Sequence, residues 1–337
     1  MPTFRSQSAG LQSVQEAVKG TEIATKTIRH VFETLKITPN DTLNRPNLSL
    51  GILVANQGGE YPISRGVDWE FGGPVVLDQF HIELSMCVQG VPVMTGTTPN
   101  WIWTATRNAT ADPALKSRSF SYMMTDGATP SYWKFLYGMA TKLEVSAAEN
   151  SPVVFSMAGF GRRLQADAAW TAGLSLPTIQ TPAIPQSTVY IDAAWGTPTI
   201  PVAATVLAWK YTIETGIMPI DTADARADLD FTLDEINVSN VKTSVELLLL
   251  ARASGGYDWK TEKTAAEAAT LRQITILSAV DANRSLQFRG LMKYEAGSLF
   301  PDGEKDGLQT VNLKLVSGTD ATNYMEMIVK NGVGTLT

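Results

Sequence analysis

The stretch Gly73–Gly90, GPVVLDQFHIELSMCVQG, contains the side chains from which nucleophilic and metal sites are built: His81, Glu83, Ser85 and Cys87. They alternate with Phe80, Ile82, Leu84, Met86 and Val88, the period of a half-buried strand with one apolar and one polar face. On such a strand His81 and Cys87 share a face but stand roughly 20 Å apart at about 3.3 Å per residue, too far to pair. A serine or cysteine hydrolase needs a nucleophile, a base and an orienting group within hydrogen-bond reach. Only His30 and His81 are present to act as the base, and Cys87 is the sole thiol. The spacing predicts a strand whose polar face is a wall, with no catalytic residue on it.

Other chemistries fare no better. DGEKDG, Asp302–Gly307, fits the first half of an EF-hand loop, but position 12 is Leu313 where a bidentate glutamate is required. The patch Asp221–Glu235 has six acids and Arg226 but lacks the loop glycine. Both read as acidic exposed or channel-facing segments, and no metal or cofactor is expected. No phosphate-binding Gly-rich fingerprint occurs, and the arginine pair in GFGRRL, Gly159–Leu164, reads as an interface or solvated charge. The eight tryptophans are scattered and form no stacking platform in sequence, which favours core or subunit packing.

The segments that must carry these residues are short, rich in β-branched and aromatic side chains, and bounded by Gly, Pro or Asn. Strands are expected at IRHVFETLKITP, LSLGILVA, RSFSYMM, WKFLYGMATKLEVSA and SPVVFSMAGFGRRL. After a Pro-rich stretch they resume at VLAWKYTIETG, LDFTLDEINV, TSVELLLLARA, LRQITILSAV, RSLQFRGLMKYEA, LQTVNLKLVSG and NYMEMIVKNG. TTPNWIWTATRNATADP reads as irregular. SVQEAVK is a weak helix signal with Ser13 and Glu16 at capping-box spacing, and KTEKTAAEAATLRQ is the clear helix, with Thr264 and Glu267 as its box.

The halves look like two copies of one plan, with Asp78–Gln89 matched to Ser244–Arg252 as the long strand of each. The expected organisation is an N-terminal arm 1–19, a first unit 20–170, a Pro-rich extended connection 171–202 and a second unit 203–337. Charge divides unevenly: residues 1–170 hold 14 basic and 14 acidic side chains, residues 171–337 hold 13 and 19. A net-acidic chain is a poor ligand for nucleic-acid phosphates, which are held by clustered Lys and Arg. One cysteine excludes an internal disulfide. The first residues show no apolar signal-peptide core and no long apolar run follows, so neither secretion nor membrane insertion is expected.

The succession GTEIATKTI, ETLKITPN, RPNLSLGILVANQ and GPVVLDQFHIELSMCVQG resembles the start of the major tail tube proteins of long, flexible-tailed bacteriophages. VYIDAAWGTPTIPVAATVLAWKYTIETGIMPIDTADARADLDFT resembles their second half, and MEMIVKNGVGTLT their closing strand. The resemblance implies a mainly β fold, a β-sandwich or half-barrel unit with a flanking helix, shared with the type VI secretion tube protein. It implies two tandem units per chain, and three chains in a pseudo-sixfold ring whose inner wall is a β-barrel.

Stacked rings would form the virion tail tube, assembled in the host cytoplasm, through which double-stranded DNA passes without lasting contact. The partners implied are the tape-measure, tail terminator and baseplate or tail-tip proteins. A lumen that lets a polyanion slide must be neutral or acidic, and Glu83 and Glu246 are the lining acids expected. Residues 40–66 and 171–202 are expected at ring-to-ring contacts. The competing reading is a β-sandwich module that binds a carbohydrate or cell surface, with tryptophans along an exposed face.

Overall fold

The segment read as the opening strand is a helix, α1, Leu77–Cys87, and every residue of it but Asp78 is buried. A helix enclosed on all sides needs no solvent stripe, so alternation of apolar side chains costs it nothing. Phe80, Leu84 and Val88 follow one another at four-residue spacing along it, and its polar side chains find partners inside the protein. His81 and Cys87 are thus about 9 Å apart along a helix axis, at 1.5 Å per residue.

The computed structural model describes residues 9–44, 61–88, 92–107, 116–125, 130–167, 170–202, 206–219, 241–250, 259–295, 301–305, 308–318 and 323–335. The expected strands at 48–55 and 229–238 and the acidic patch 221–235 lie outside the described residues. The protein is mainly β. Ahead of α1 come β1 (Ala9–Gln15), β2 (Ile28–Arg29), β3 (Thr34–Pro39), β4 (Thr42–Asn44), β5 (Tyr61–Ser64) and β6 (Gly66–Pro74). After it come β7 (Val93–Thr97), β8 (Asn100–Arg107), β9 (Arg118–Thr125), β10 (Pro130–Ala148), β11 (Val154–Arg162) and β12 (Gln165–Ala166).

The later elements are β13 (Ser187–Asp192), β14 (Val206–Glu214), β15 (Lys242–Leu250), α2 (Trp259–Glu267), β16 (Arg272–Asp281) and β17 (Arg284–Tyr294). They end with β18 (Pro301–Lys305), β19 (Leu308–Ser317) and β20 (Met325–Asn331). Three expectations change besides α1. Ser13 lies in β1, a strand, with Glu16 just beyond it. The irregular Trp-containing stretch is the hairpin β7–β8. The second helix starts at Trp259, so Thr264 sits inside it and is no cap.

One connectivity occurs twice. In the first copy the spatial order is β3, β6, β11, β10, β9, β1, all antiparallel. In the second it is β14, β15, β19, β17, β16, β13, again all antiparallel. Sequence order matches as well: β1, β3, β6, α1, β9, β10, β11 against β13, β14, β15, α2, β16, β17, β19. The strand that follows returns in both copies to the early part of the same partner, β12 on β10 and β20 on β17. The counterpart of β15 is therefore β6, and that of α2 is α1. Both copies take in a strand beyond residues 20–170 and 203–337, namely β1 and β13.

Two seams bind the copies together. The last part of β10 pairs with β14, and β8 pairs with β20. Helix α1 sits where they meet. The Phe80 ring lies 5.7 Å from Phe155 of β11 and 6.5 Å from Phe288 of β17, and Phe288 stacks 4.9 Å from Tyr211 of β14. Replacing Phe80 with Ala empties a site walled by both copies, and loss of a buried aromatic costs about 3–5 kcal/mol. The expected result is a large fall in the urea midpoint with an unchanged m-value, mostly recovered by Phe80→Leu. A shift below about 0.5 kcal/mol, within the range of ordinary surface substitutions, would show that α1 is not the wedge between them.

Candidate functional site: a charge-balanced sheet face and the polar cluster behind it

Because β10 pairs with both β11 and β14, one sheet runs β3, β6, β11, β10, β14, β15, β19 across the two copies. Side chains alternate along each strand, so cross-strand partners share a face. One face is core: Trp69, Phe71, Met157, Leu143, Val145, Tyr211, Ile213, Val245, Leu247 and Leu313 are all buried. The other is polar and, among the described residues, lies open.

Register arranges that polar face in rows. One row reads Lys36, Glu70, Ala158, Lys142, Glu214, Lys242 across six strands. Another reads Ser146, Lys210, Glu246, Lys314. Between them, Ser156, Glu144, Thr212 and Ser244 cross four strands. Thr38 and Asp68 pair at the outer end. Every lysine has an acid beside it in its row, and Lys142 Nζ lies 3.1 Å from Glu144 Oε2 and Lys210 Nζ 3.3 Å from Glu246 Oε2. Such exposed pairs contribute little stability, about 0–1 kcal/mol each. Their effect is on the field: among the described residues the face carries five lysines and five acids, with no cluster of cations that would condense a phosphate backbone.

The two acids expected to line a lumen are separated. Glu246 lies on this face, about 42% exposed. Glu83 does not: it is 1% exposed, on the buried helix α1, and faces no solvent. The correction follows from period. On a strand Glu83 would point away from Phe80 and Ile82, whereas on a helix it sits four residues from Gln79 and points inward with it.

Glu83 ends a buried chain of hydrogen bonds. Arg118 Nε donates to Ser13 Oγ (3.0 Å), Ser13 Oγ lies 2.7 Å from His30 Nε2, and His30 Nδ1 lies 3.0 Å from Glu83 Oε1. Gln79 Nε2 donates to the same carboxylate oxygen at 2.6 Å. The polarity that satisfies this chain has Ser13 donating to His30 and His30 donating to Glu83. Burial lowers the Arg118 pKa to about 10, with Glu83 and Glu16 pulling it back up, so the guanidinium stays charged at neutral pH. Glu16 is held by Ser119 Oγ (2.8 Å), by Ser117 Oγ and by the backbone N–H groups of Gly20 (2.6 Å) and Tyr137 (2.9 Å). Ser13 and Glu16, spaced like a helix cap, are members of this strand-borne network.

His81 stacks on Trp103, with ring centroids 4.6 Å apart. Its Nε2 donates to Thr335 O and its Nδ1 accepts from Asn331 Nδ2, both at 3.1 Å, which fixes the neutral tautomer. Burial lowers its pKa below the usual 6.5; the Thr335 carbonyl and Glu83 oppose the shift and Arg118 adds to it. Below pH 6.5 the unfolded chain binds a proton that the folded chain refuses, so stability falls as the pH drops from 6.5 toward the folded pKa. Urea midpoints at pH 7 and pH 5 test this. His81→Gln is expected to flatten the decline, and an identical decline in wild type and variant overturns it.

Burial also pushes the Cys87 thiol up, which leaves it an inert core side chain. Of Asp302–Gly307, read as half a calcium loop, Asp302–Lys305 belongs to β18 paired with β19, and 306–307 lie outside the described residues. Among the described residues no three His, Cys, Asp or Glu side chains gather as a metal site requires, and no helix is long and apolar enough to cross a membrane. Trp69, Trp103 and Trp209 are buried, and Trp101, Trp133, Trp170 and Trp195 are half-buried. None of these seven forms the exposed platform that a carbohydrate-binding face needs. No protein-family model matches the chain, and no curated protein matches it.

Proposed function

We propose that this protein is a structural subunit of a bacteriophage tail tube, three copies of which close into a ring that stacks into the hollow conduit for viral DNA. One observation carries the reading: a single connectivity occurs twice and the two copies are fused edge to edge into one sheet with a polar, charge-balanced face. A chain that already joins two equivalent units side by side is half-way to a ring of such units. The balanced face is then the wall of the lumen, and Glu246 is part of it.

Dimensions agree. Each chain contributes eight strands, β3 through β19 plus β18 on its far side. At about 4.8 Å per strand, three chains give a circumference of roughly 115 Å, or roughly 37 Å across at the backbone. Strand tilt widens this further. Such a bore takes duplex DNA, and a wall without clustered cations does not retain it. Tape-measure, terminator and tail-tip proteins are the partners that this role requires, and the virion tail is its place.

Electron microscopy of the purified, concentrated protein tests the reading. Stacked hollow rings with three chains each are the expected result. Six chains per ring would reject the trimer, and failure to associate at any concentration, together with binding to a glycan array, would replace the tube with the binding module.

A further inference from the structure

We infer that copies of this chain join head to tail by pairing β3 of one with β18 of the next. The inference rests on the tube reading and names the surface that closes its ring.

The two internal copies show what the joint looks like. In the first, β10 runs unbroken for 19 residues. Its middle and later residues lie along β11, Met139–Ala140 against Phe160–Gly159 and Lys142–Ser146 against Ala158–Val154. Its opposite edge, Lys142–Ala148, is covered by β14. In the second copy the counterpart of β10 comes in two pieces. Met292–Tyr294 of β17 pair with Ser317–Leu315 of β19, and β18 resumes along the earlier part of β19, Pro301–Lys305 against Val311–Leu308. Strand β18 therefore stands to β19 as the later part of β10 stands to β11.

The partner of that position in the first copy is β14, and the counterpart of β14 is β3. Among the described residues β18 pairs only with β19, and β3 pairs only with β6. Among the described residues each chain thus presents one open edge of the donor kind and one of the acceptor kind, on opposite ends of the same sheet. An open edge is a template for strand addition unless it is guarded. β3 is guarded against indiscriminate pairing by an exposed lysine and a terminal proline, Lys36 and Pro39. The two edges are different surfaces, so the contact is heterologous and makes a ring when the rotation closes. Pairing in the sense of β10 with β14 is antiparallel and carries the polar face across the joint without a break.

Cysteine cross-linking tests this directly. In a Cys87→Ala background, Lys36→Cys or Thr38→Cys is placed on β3, and Gly303→Cys or Lys305→Cys on β18, whose partners Thr310 and Leu308 stand on the same face of β19 as Lys314, with circular dichroism confirming the fold of each. Mixtures of a β3 variant with a β18 variant are expected to form covalent dimers on oxidation under assembling conditions. Chains carrying both cysteines should form covalent ladders, and two β3 variants together should form none. The four combinations cover the neighbouring registers, so one misplaced pair does not decide the outcome. Rings or tubes that assemble with no β3–β18 cross-link in any combination, or with β3–β3 cross-links instead, overturn this joint and leave the tube reading standing. Failure of the cysteine-free parent and of the wild type to associate at all removes both.

Discussion

Glu83→Lys is expected to yield no folded protein. The glutamate is 1% exposed and, among the described residues, is the only carboxylate bonded to His30, whose other nitrogen lies against Ser13 and through it against the buried Arg118. A lysine there replaces the acceptor of two hydrogen bonds with a second cation in the same dry region. Breaking one partner of a buried ionic network costs about 3–5 kcal/mol before any repulsion is counted. Total stabilities are only about 5–15 kcal/mol, so the variant is expected in the insoluble fraction, or soluble without a cooperative melt. Glu83→Gln keeps shape and accepting oxygen, and it should fold with a loss of about 1–3 kcal/mol. If Glu83→Lys melts like the wild type, Glu83 lies on a surface and α1 is misplaced.

Reversing charge on the open face should spare the fold and transform behaviour toward DNA. Glu70, Glu214 and Glu246 all stand on exposed or half-exposed strand positions of that face. Changing all three to lysine leaves eight lysines against two acids there. Each phosphate neutralised contributes about −0.9 to the slope of log affinity against log salt, so the assembled variant should retain duplex DNA with a steep salt dependence. The assembled wild type should retain almost none at physiological ionic strength. Melting temperatures should differ little, because exposed pairs contribute about 0–1 kcal/mol each. Equal DNA retention by both proteins would show that the balanced face does not line the path of DNA.

Most of the β content was legible because its carriers are β-branched and aromatic runs cut by glycine and asparagine, as at Phe135–Val145 and Ile274–Ile276. Helix α1 was not, because a helix enclosed on all sides shows no stripe and its apolar residues happened to alternate. Composition held the missed signal. Between Leu77 and Cys87 only Ile82 is β-branched, while Leu, Gln, Glu and Met are good helix formers, and Gln79 and Glu83 sit one turn apart. That single misreading shifted the internal match, pairing the helix with β15 when its counterpart is α2. It also sent Glu83 to a wall instead of the interior. Glu246 does point away from the core because β15 alternates, with Val245, Leu247 and Leu249 inward. Pro99 hid the β7–β8 hairpin, since with Thr98 it forms the turn between them.

The fusion of the two copies at β10 and β14 also bears on how a ring would nucleate. A ring of six separate units must bring six bodies together and forfeit translational and rotational freedom at each joining. Here every second joint is already made within a chain, where tethering holds the partners at a high effective concentration whatever the protein concentration outside. Closure then involves three encounters instead of six, and its dependence on protein concentration drops to third order. The remaining joints would all be of one kind, so such a ring under strain would have three places to open and three where it could not.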